Sequence, residues 1–309
     1  MQINKNKATN ILVIILFLAL LIGTSYMRLQ NLPLLKDQTT NESLPADLDT
    51  FYFLRLAETI AEQGSLPEID TMRYPSLNVP FSQEILPKAV VLFWKIGKTF
   101  NSDLTLRFVD VITPVIFFIL GLIAFFFLIR ILTKSNITAL ISSIFLAIIP
   151  SYLYRTMAGV PDHDVVGMFA FFLALLVFTI AIKSLRETDL KRTIGLGLLT
   201  GLVTTFAISS WGGIALFLFL IIPASFFIFW ILSDKHLKYI LFYATWLISS
   251  VLFGFLLNYD VISIINRYII SAEGLLGLFT LGFMIIDFLI TTGQTTLDQV
   301  KKYVESQGK

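Results

Sequence analysis

The chain has 309 residues, 56% of them hydrophobic and only 14% charged, with a mean hydropathy of +0.81. That balance excludes a soluble domain with an ordinary charged surface, and a net charge of +2 is too small to argue for nucleic acid. The absence of cysteine removes disulfides and thiolate metal sites from consideration.

The first apolar run, Ile11 to Met27, follows Lys5 and Lys7, and no small-residue cleavage site follows it clearly, so it reads as a retained span. Further runs begin near Val111, Ile137, Val166, Ile194, Ile214, Tyr239 and Leu275, each close to the roughly 20 residues a helix needs to cross hydrocarbon. The expected fold is therefore an all-α, polytopic bundle of about eight transmembrane helices, a single transmembrane domain over residues 1–309. Cytoplasmic loops collect Lys and Arg. With the amino terminus inside, the inner segments hold Lys5, Lys7, Arg130, Lys134, the 183–192 turn, Lys235, Lys238 and the carboxy-terminal lysines, against only Arg155 and Arg267 in the short outer loops. Both termini are thus expected to be cytoplasmic in a multi-pass cell-membrane protein.

Between the first two spans, residues 28–110 form a long outer segment, too polar to span and too large for a simple connector. Asp49 to Gln63 looks like a helix capped by an acid, with Phe51, Leu54, Ala57 and Ile60 or Ala61 as its apolar stripe. Asp49 would sit at the helix start, where the dipole favours its ionised form. After a turn at Gly64, Asp70-Thr71-Met72-Arg73-Tyr74-Pro75 leads through Pro80 and Pro87 to a second apolar stretch ending at Ile96. Tyr74 and Trp94 read first as interfacial anchors.

The second and third spans are joined by the short inner turn Thr133 to Asn136, which predicts an antiparallel hairpin and returns the chain to the outer face. There Tyr154-Arg155-Thr156-Met157-Ala158-Gly159-Val160-Pro161-Asp162-His163-Asp164 forms a polar turn between two apolar runs. Two acids flanking a histidine could hold a divalent cation through oxygen and nitrogen ligands. The pattern is short, and the alternative is a solvated loop that keeps a helix end wet, with Asp162 as an N-cap for the following helix. Further on, Ser209-Ser210-Trp211-Gly212-Gly213 lies at the outer boundary, where backbone amides could approach a phosphate, or where Trp211 could be an aromatic-belt residue beside a tight turn. Asp287 lies inside an apolar run, which is costly unless it faces water or a partner. Gln294 to Lys309 is a polar amphipathic tail. Asn41-Glu42-Ser43 is an asparagine-glycosylation sequon on the outer face, and Asn136-Ile137-Thr138 a second one on the inner face.

Four of these stretches, in order, resemble the catalytic subunit of asparagine-linked oligosaccharyltransferase in its single-polypeptide archaeal and bacterial form. Arg155 to Gly159 followed by Asp162-His163-Asp164 looks like the family's second acidic motif, and Asp49-Thr50-Phe51-Tyr52-Phe53-Leu54-Arg55 is similar to the first. Asp70 to Pro75 and Trp211-Gly212-Gly213 fall where the family has comparable segments. The resemblance implies a membrane-embedded, GT-C-like glycosyltransferase with a lipid-linked oligosaccharide as donor and the asparagine of an Asn-x-Ser/Thr sequon in a polypeptide as acceptor. It implies that Asp49, Asp162 and Asp164, with His163 as a further candidate ligand, bind Mn²⁺ or Mg²⁺, and that Asp49 also holds the acceptor amide. Arg155 would balance the acids or the donor phosphate, or else anchor the helix at the lipid headgroups, and Arg55, Tyr74, Trp211 and Gly212 are the candidate substrate contacts.

The departures from the family are the missing later spans, the missing outer-loop glutamate and the missing soluble carboxy-terminal domain with its Trp-Trp-Asp motif. Trp94, Trp211, Trp230 and Trp246 are never adjacent. The expectation is therefore an amino-terminal membrane half, truncated, split or inactive, that needs a second polypeptide for turnover. Two other readings stay open: a lipid-phosphate-sugar glycosyltransferase with another acceptor, and a transporter or non-catalytic membrane subunit centred on Asp287.

Overall fold

The computed structural model describes residues 2–72, 74–78, 84–257 and 261–307, with side chains described for 8–72, 74–76, 84–257 and 261–293. Arg73, Pro80, Asn258 and Asp260 lie outside the described residues, as do the side chains of Lys5, Lys7 and residues 294–309.

In chain order the elements are α1 (Gln2–Leu29), α2 (Leu48–Gln63), β1 (Ile69–Asp70), β2 (Leu77–Asn78), α3 (Ile85–Lys98), α4 (Leu106–Thr133), α5 (Asn136–Ile148), α6 (Pro150–Arg155), α7 (His163–Ser184), α8 (Leu190–Ser210), α9 (Ile214–Leu232), α10 (Leu237–Leu256), α11 (Val261–Ile265) and α12 (Ala272–Gln307). A 3₁₀ turn spans Leu32–Leu35 and a π-helical turn Asn266–Ile270. The two short strands pair antiparallel, Ile69 opposite Asn78.

Seven helices among the described residues are long and apolar enough to cross a membrane, so the chain is a helical, multi-pass membrane protein. The remaining expected span is interrupted. α5 has 13 residues, about 20 Å of rise against a hydrocarbon core of about 30 Å. It stops because Pro150 can neither donate an amide nor let Ile149 stay helical, and Ile149 is extended at φ −57°, ψ 124°. α6 then begins with Pro150 in its first turn, where a missing N–H costs nothing. The expected hairpin is present: Lys134 closes α4 at φ 56°, and the Ser135 side chain caps α5 by accepting from the Thr138 amide at 3.1 Å.

The chain forms two compact units, Met1–Thr179 with Phe206–Ile214, and Ile180–Thr205 with Ala215–Lys309, whose boundaries fall within α7 and α8 and at the start of α9. In the first unit, Val13, Phe17 and Leu21 of α1 pack with Phe118, Leu122 and Phe126 of α4 and Ala139, Leu140 and Ala147 of α5. Phe53, Ala57 and Ile60 of α2 pack with Leu86, Val90 and Val91 of α3 and with Val109 and Phe117 of α4. The α2 stripe thus faces the bundle, and it runs through Phe53 instead of the expected Phe51, which is exposed. In the second unit α8 and α10 touch through small residues. A Cβ on Gly201 would lie 1.9 Å from Ser249 Oγ, and one on Gly197 2.8 Å from Thr245 Cβ. Trp246 Nε1 donates to Thr204 Oγ1 at 3.0 Å in the same contact.

Candidate active site

The polar turn after α6 is fixed by backbone. Thr156, at the end of α6, receives the Nε–H of Arg28 on its hydroxyl at 2.8 Å. The Ala158 amide donates to the Arg28 carbonyl at 3.0 Å, and the Ala158 carbonyl accepts from the Asn31 side chain at 2.7 Å. The Gly159 amide donates to Val111 of α4 at 2.8 Å, and its carbonyl accepts from the Ala46 amide at 2.7 Å. Gly159 has φ +89°, and a Cβ there would lie 2.5 Å from Leu35 Cδ1, so both conformation and space require glycine. These bonds draw the end of α1, the entry to α2 and the start of α4 onto one turn.

Arg28 is fully buried. Its guanidinium lies 3.4 Å from the centre of the Phe118 ring and donates to the carbonyls of Thr24 and Ala147 as well as to Thr156. A charge taken out of water survives only when its donors are satisfied, and these contacts do that. At the sequence level Arg28 is one basic residue after an apolar run, indistinguishable from an interfacial anchor; only its burial separates the two.

Arg155, Asp162, His163 and Asp164 lie together in one turn. Arg155 Nη1 lies 3.3 Å from Asp162 Oδ2, and its Nε lies 3.4 Å from Asp164 Oδ2. Asp162 is 8% exposed, and its Oδ1 accepts from the His163 amide and from His163 Nδ1, each at 2.6 Å. Burial works against the ionised Asp162, but the hydrogen bonds and charge of His163, with Arg155 beyond, hold its carboxyl below the usual aspartate range. Asp162 thus stands just ahead of α7, accepting from its first amide, and belongs to a charged cluster with Arg155 and His163. Asp164 has one buried oxygen, Oδ1, without a hydrogen-bond partner.

Asp49 is on the neighbouring α2, but it is not the cap. Asp47 holds that position, accepting from the Leu48 amide at 2.7 Å and forming a capping box with Thr50. Asp49 is the second residue of α2, exposed and not used to hold the helix. One turn further along α2, Phe53 places its ring 5.8 Å from the His163 ring. The Trp211 ring lies 6.3 Å from His163, and Gly167 makes room for it, since a Cβ there would stand 2.6 Å from Trp211 Cβ. Gly212 follows in the same exposed turn.

Arg55 and Tyr74 are not drawn to the cluster. Arg55 forms a two-pronged pair with Asp70, at 3.0 and 2.5 Å, and so fastens β1 to α2. Tyr74 is fully exposed. Among the described residues no three His, Asp or Glu side chains stand close enough to hold a metal ion between them. Asp162 and Asp164 nevertheless offer hard oxygen donors, and the partnerless Asp164 oxygen suits a cation that prefers carboxylates. Asp287 is paired within the second unit: it accepts from Trp230 Nε1 at 2.8 Å and from Lys235 Nζ at 2.7 Å.

Fold and site together define a polytopic helical membrane protein in which two acid-bearing segments, far apart in sequence, are bonded together at one end of a bundle. The chain belongs to the oligosaccharyl transferase STT3 family, whose amino-terminal family model matches residues 11–307. It is 24% identical over 186 residues to the dolichyl-phosphooligosaccharide-protein glycotransferase of Methanocaldococcus jannaschii, covering 54% of this chain and 20% of that protein. Its fold is similar to that of the oligosaccharyltransferase AglB of Archaeoglobus fulgidus, solved with an inhibitory peptide and a dolichol-phosphate, at a TM-score of 0.67 and 19% identity. The apo form of the Archaeoglobus fulgidus enzyme gives 0.65 and 22%. The alignments cover 89% and 90% of this chain but 34% of each of those chains. The chain thus spans about a fifth of the curated relative's length and about a third of the solved structures'.

Proposed function

We propose that these residues form part of the active site of an enzyme that transfers an oligosaccharide from a lipid-phosphate carrier to the asparagine amide of Asn-x-Ser/Thr sequons. The observation that carries the reading is the bond between the Ala46 amide and the Gly159 carbonyl. It joins the segment leading to Asp49 with the turn leading to Asp162 and Asp164, the two stretches that such chemistry needs in one place.

The chemistry asks for acids. A carboxamide nitrogen is a poor nucleophile because its lone pair is delocalised into the carbonyl, and carboxylates that grip its N–H groups help to expose it. Asp49, exposed and free of capping, is the acceptor-side candidate. In the transfer the nitrogen bonds to the anomeric carbon, the bond from that carbon to the phosphate oxygen breaks, and the amide gives up one proton to a carboxylate. Arg155, now shared by Asp162 and Asp164, is the group able to turn to a phosphate when one arrives. His163 fixes the orientation of Asp162.

Mn²⁺ or Mg²⁺ is the proposed cofactor, held by Asp162 and Asp164 with Asp49 completing the oxygen donors and His163 as a further candidate. When bound it supplies a Lewis acid to the departing phosphate. The site lies on the outer face, with both termini cytoplasmic, as the cation distribution of the sequence implies. Residues that complete turnover come from outside this stretch, on the same polypeptide or on a second subunit. Transport draws less support, since Asp287 is already paired with Lys235 and Trp230.

A transfer assay with purified chain, lipid-linked oligosaccharide and a sequon peptide tests the proposal. Peptide glycosylation when the chain is joined by the missing component, lost in Asp162→Ala, is the expected result. Glycosylation of a lipid in place of the peptide would move the reading to another acceptor class, and full activity of residues 1–309 alone would remove the need for any further component.

A further inference from the structure

α4 carries the chain from Val111, beside the acid turn, to Arg130, roughly 30 Å of helix away. At that far end of the first unit, α1, α4 and the start of α5 enclose a cavity of about 360 Å³. Its floor is aromatic, Phe17 and Phe126 with ring centres 4.3 Å apart. Ile14, Leu18 and Phe127 line it too and remain exposed, so the groove opens sideways to whatever surrounds the helices. The other end is polar: Asn10, Arg130 and Asn136 line the same cavity, and Asn136 Nδ2 donates to Asn10 Oδ1 at 2.7 Å.

Among the described residues Arg130 is exposed and has no carboxylate within ion-pairing distance, unlike Arg55, Arg107 and Arg155. It is a guanidinium at the mouth of an apolar slot, at the depth where a transmembrane helix ends. Asn136 is also the first residue of α5, so the positive end of that helix dipole sits at the same mouth. An apolar slot alone would take any hydrocarbon chain. The added cation, two side-chain amides and a helix start select for a chain that carries a negative head.

We propose that this groove binds one anionic phospholipid, its phosphate on Arg130 beside Asn10 and Asn136, and one acyl chain along Phe17 and Phe126. A zwitterionic lipid brings its own cation to the mouth and competes with Arg130 for the same phosphate, so it binds less well. The site is separate from the acid turn and does not depend on the reaction proposed there.

Native mass spectrometry of the detergent-solubilised chain tests the site, titrating phosphatidylglycerol, phosphatidylcholine of the same acyl composition, and inorganic phosphate. The expected result is one phosphatidylglycerol bound at least fivefold more tightly than phosphatidylcholine, and no competition from millimolar phosphate. Arg130→Gln brings that preference below twofold, while Lys95→Gln, the same loss of charge on exposed Lys95 of α3, leaves it intact. Leu18→Trp, which fills the open side of the slot without touching a buried position, weakens both lipids at least threefold. Equal affinity for the two lipids, a preference that survives Arg130→Gln, or displacement by free phosphate would each overturn the proposal.

Discussion

The Ala46 amide donates to the Gly159 carbonyl at 2.7 Å, a bond between residues more than a hundred positions apart. Each stands three residues ahead of a candidate aspartate, Ala46 before Asp49 and Gly159 before Asp162. The same glycine bonds α4 through Val111, so one residue in a left-handed conformation sets the register of two acidic segments.

Gly159→Ala is therefore expected to be damaging well beyond its size. A left-handed alanine costs about 1–2 kcal/mol, and its methyl meets Leu35 Cδ1 at 2.5 Å. Thermal unfolding in detergent should show a clear drop in midpoint. Adding Leu35→Ala should recover only the clash, leaving the backbone strain.

Arg28 and Thr156 should behave as a coupled pair. A double-mutant cycle with Arg28→Lys and Thr156→Val is expected to return a coupling of about 1–3 kcal/mol, because Thr156→Val leaves a buried charged donor without its acceptor and Arg28→Lys removes the Nε–H that the hydroxyl accepts. If the two effects simply add, the Arg28 contact to the turn is incidental.

Asp287 should prove structurally modest. Its ion pair with Lys235 has side chains 25% and 32% exposed, so Asp287→Asn, which keeps an acceptor for Trp230, should cost under about 1 kcal/mol. Asp287→Leu, which leaves the buried Trp230 N–H unpaired, should cost more. A transport flux abolished by Asp287→Asn in a fully folded variant would favour the transporter reading instead.

The depressed titration of Asp162 has a defined sign. Its folded pKa lies below the unfolded value, so the stabilisation is present above the unfolded pKa and fades as pH falls through the folded one. Truncating His163 removes its side-chain hydrogen bond and its charge, leaving burial opposed by the backbone amide of residue 163 and by Arg155. Infrared titration of the carboxylate band should therefore place Asp162 higher in His163→Ala than in the native chain.

Much of this was legible in the sequence, for physical reasons. Long apolar runs must be helices in hydrocarbon, and the 133–136 turn could only make a hairpin, so the bundle followed from composition. The acid turn stood out because charges between apolar runs have nowhere else to go. Other features depend on three-dimensional neighbours. Pro150 was visible, yet an unbroken hydropathy run hides whether a proline kinks a span or divides it. Asp47 and Asp49 both suit a helix start, and only the Thr50 hydroxyl decides between them. Arg55 looked available for substrate because Asp70, fifteen residues on, gives no local sign of being its partner.

The central claim is that Asp49 and the Asp162–Asp164 turn serve one cation, and Mn²⁺ titration followed by electron paramagnetic resonance addresses it most directly. The account predicts one site, with Asp49→Asn and Asp162→Asn each weakening it at least tenfold and the double variant little worse than either alone. Native affinity in Asp49→Asn, alongside complete loss in Asp162→Asn, would contradict it.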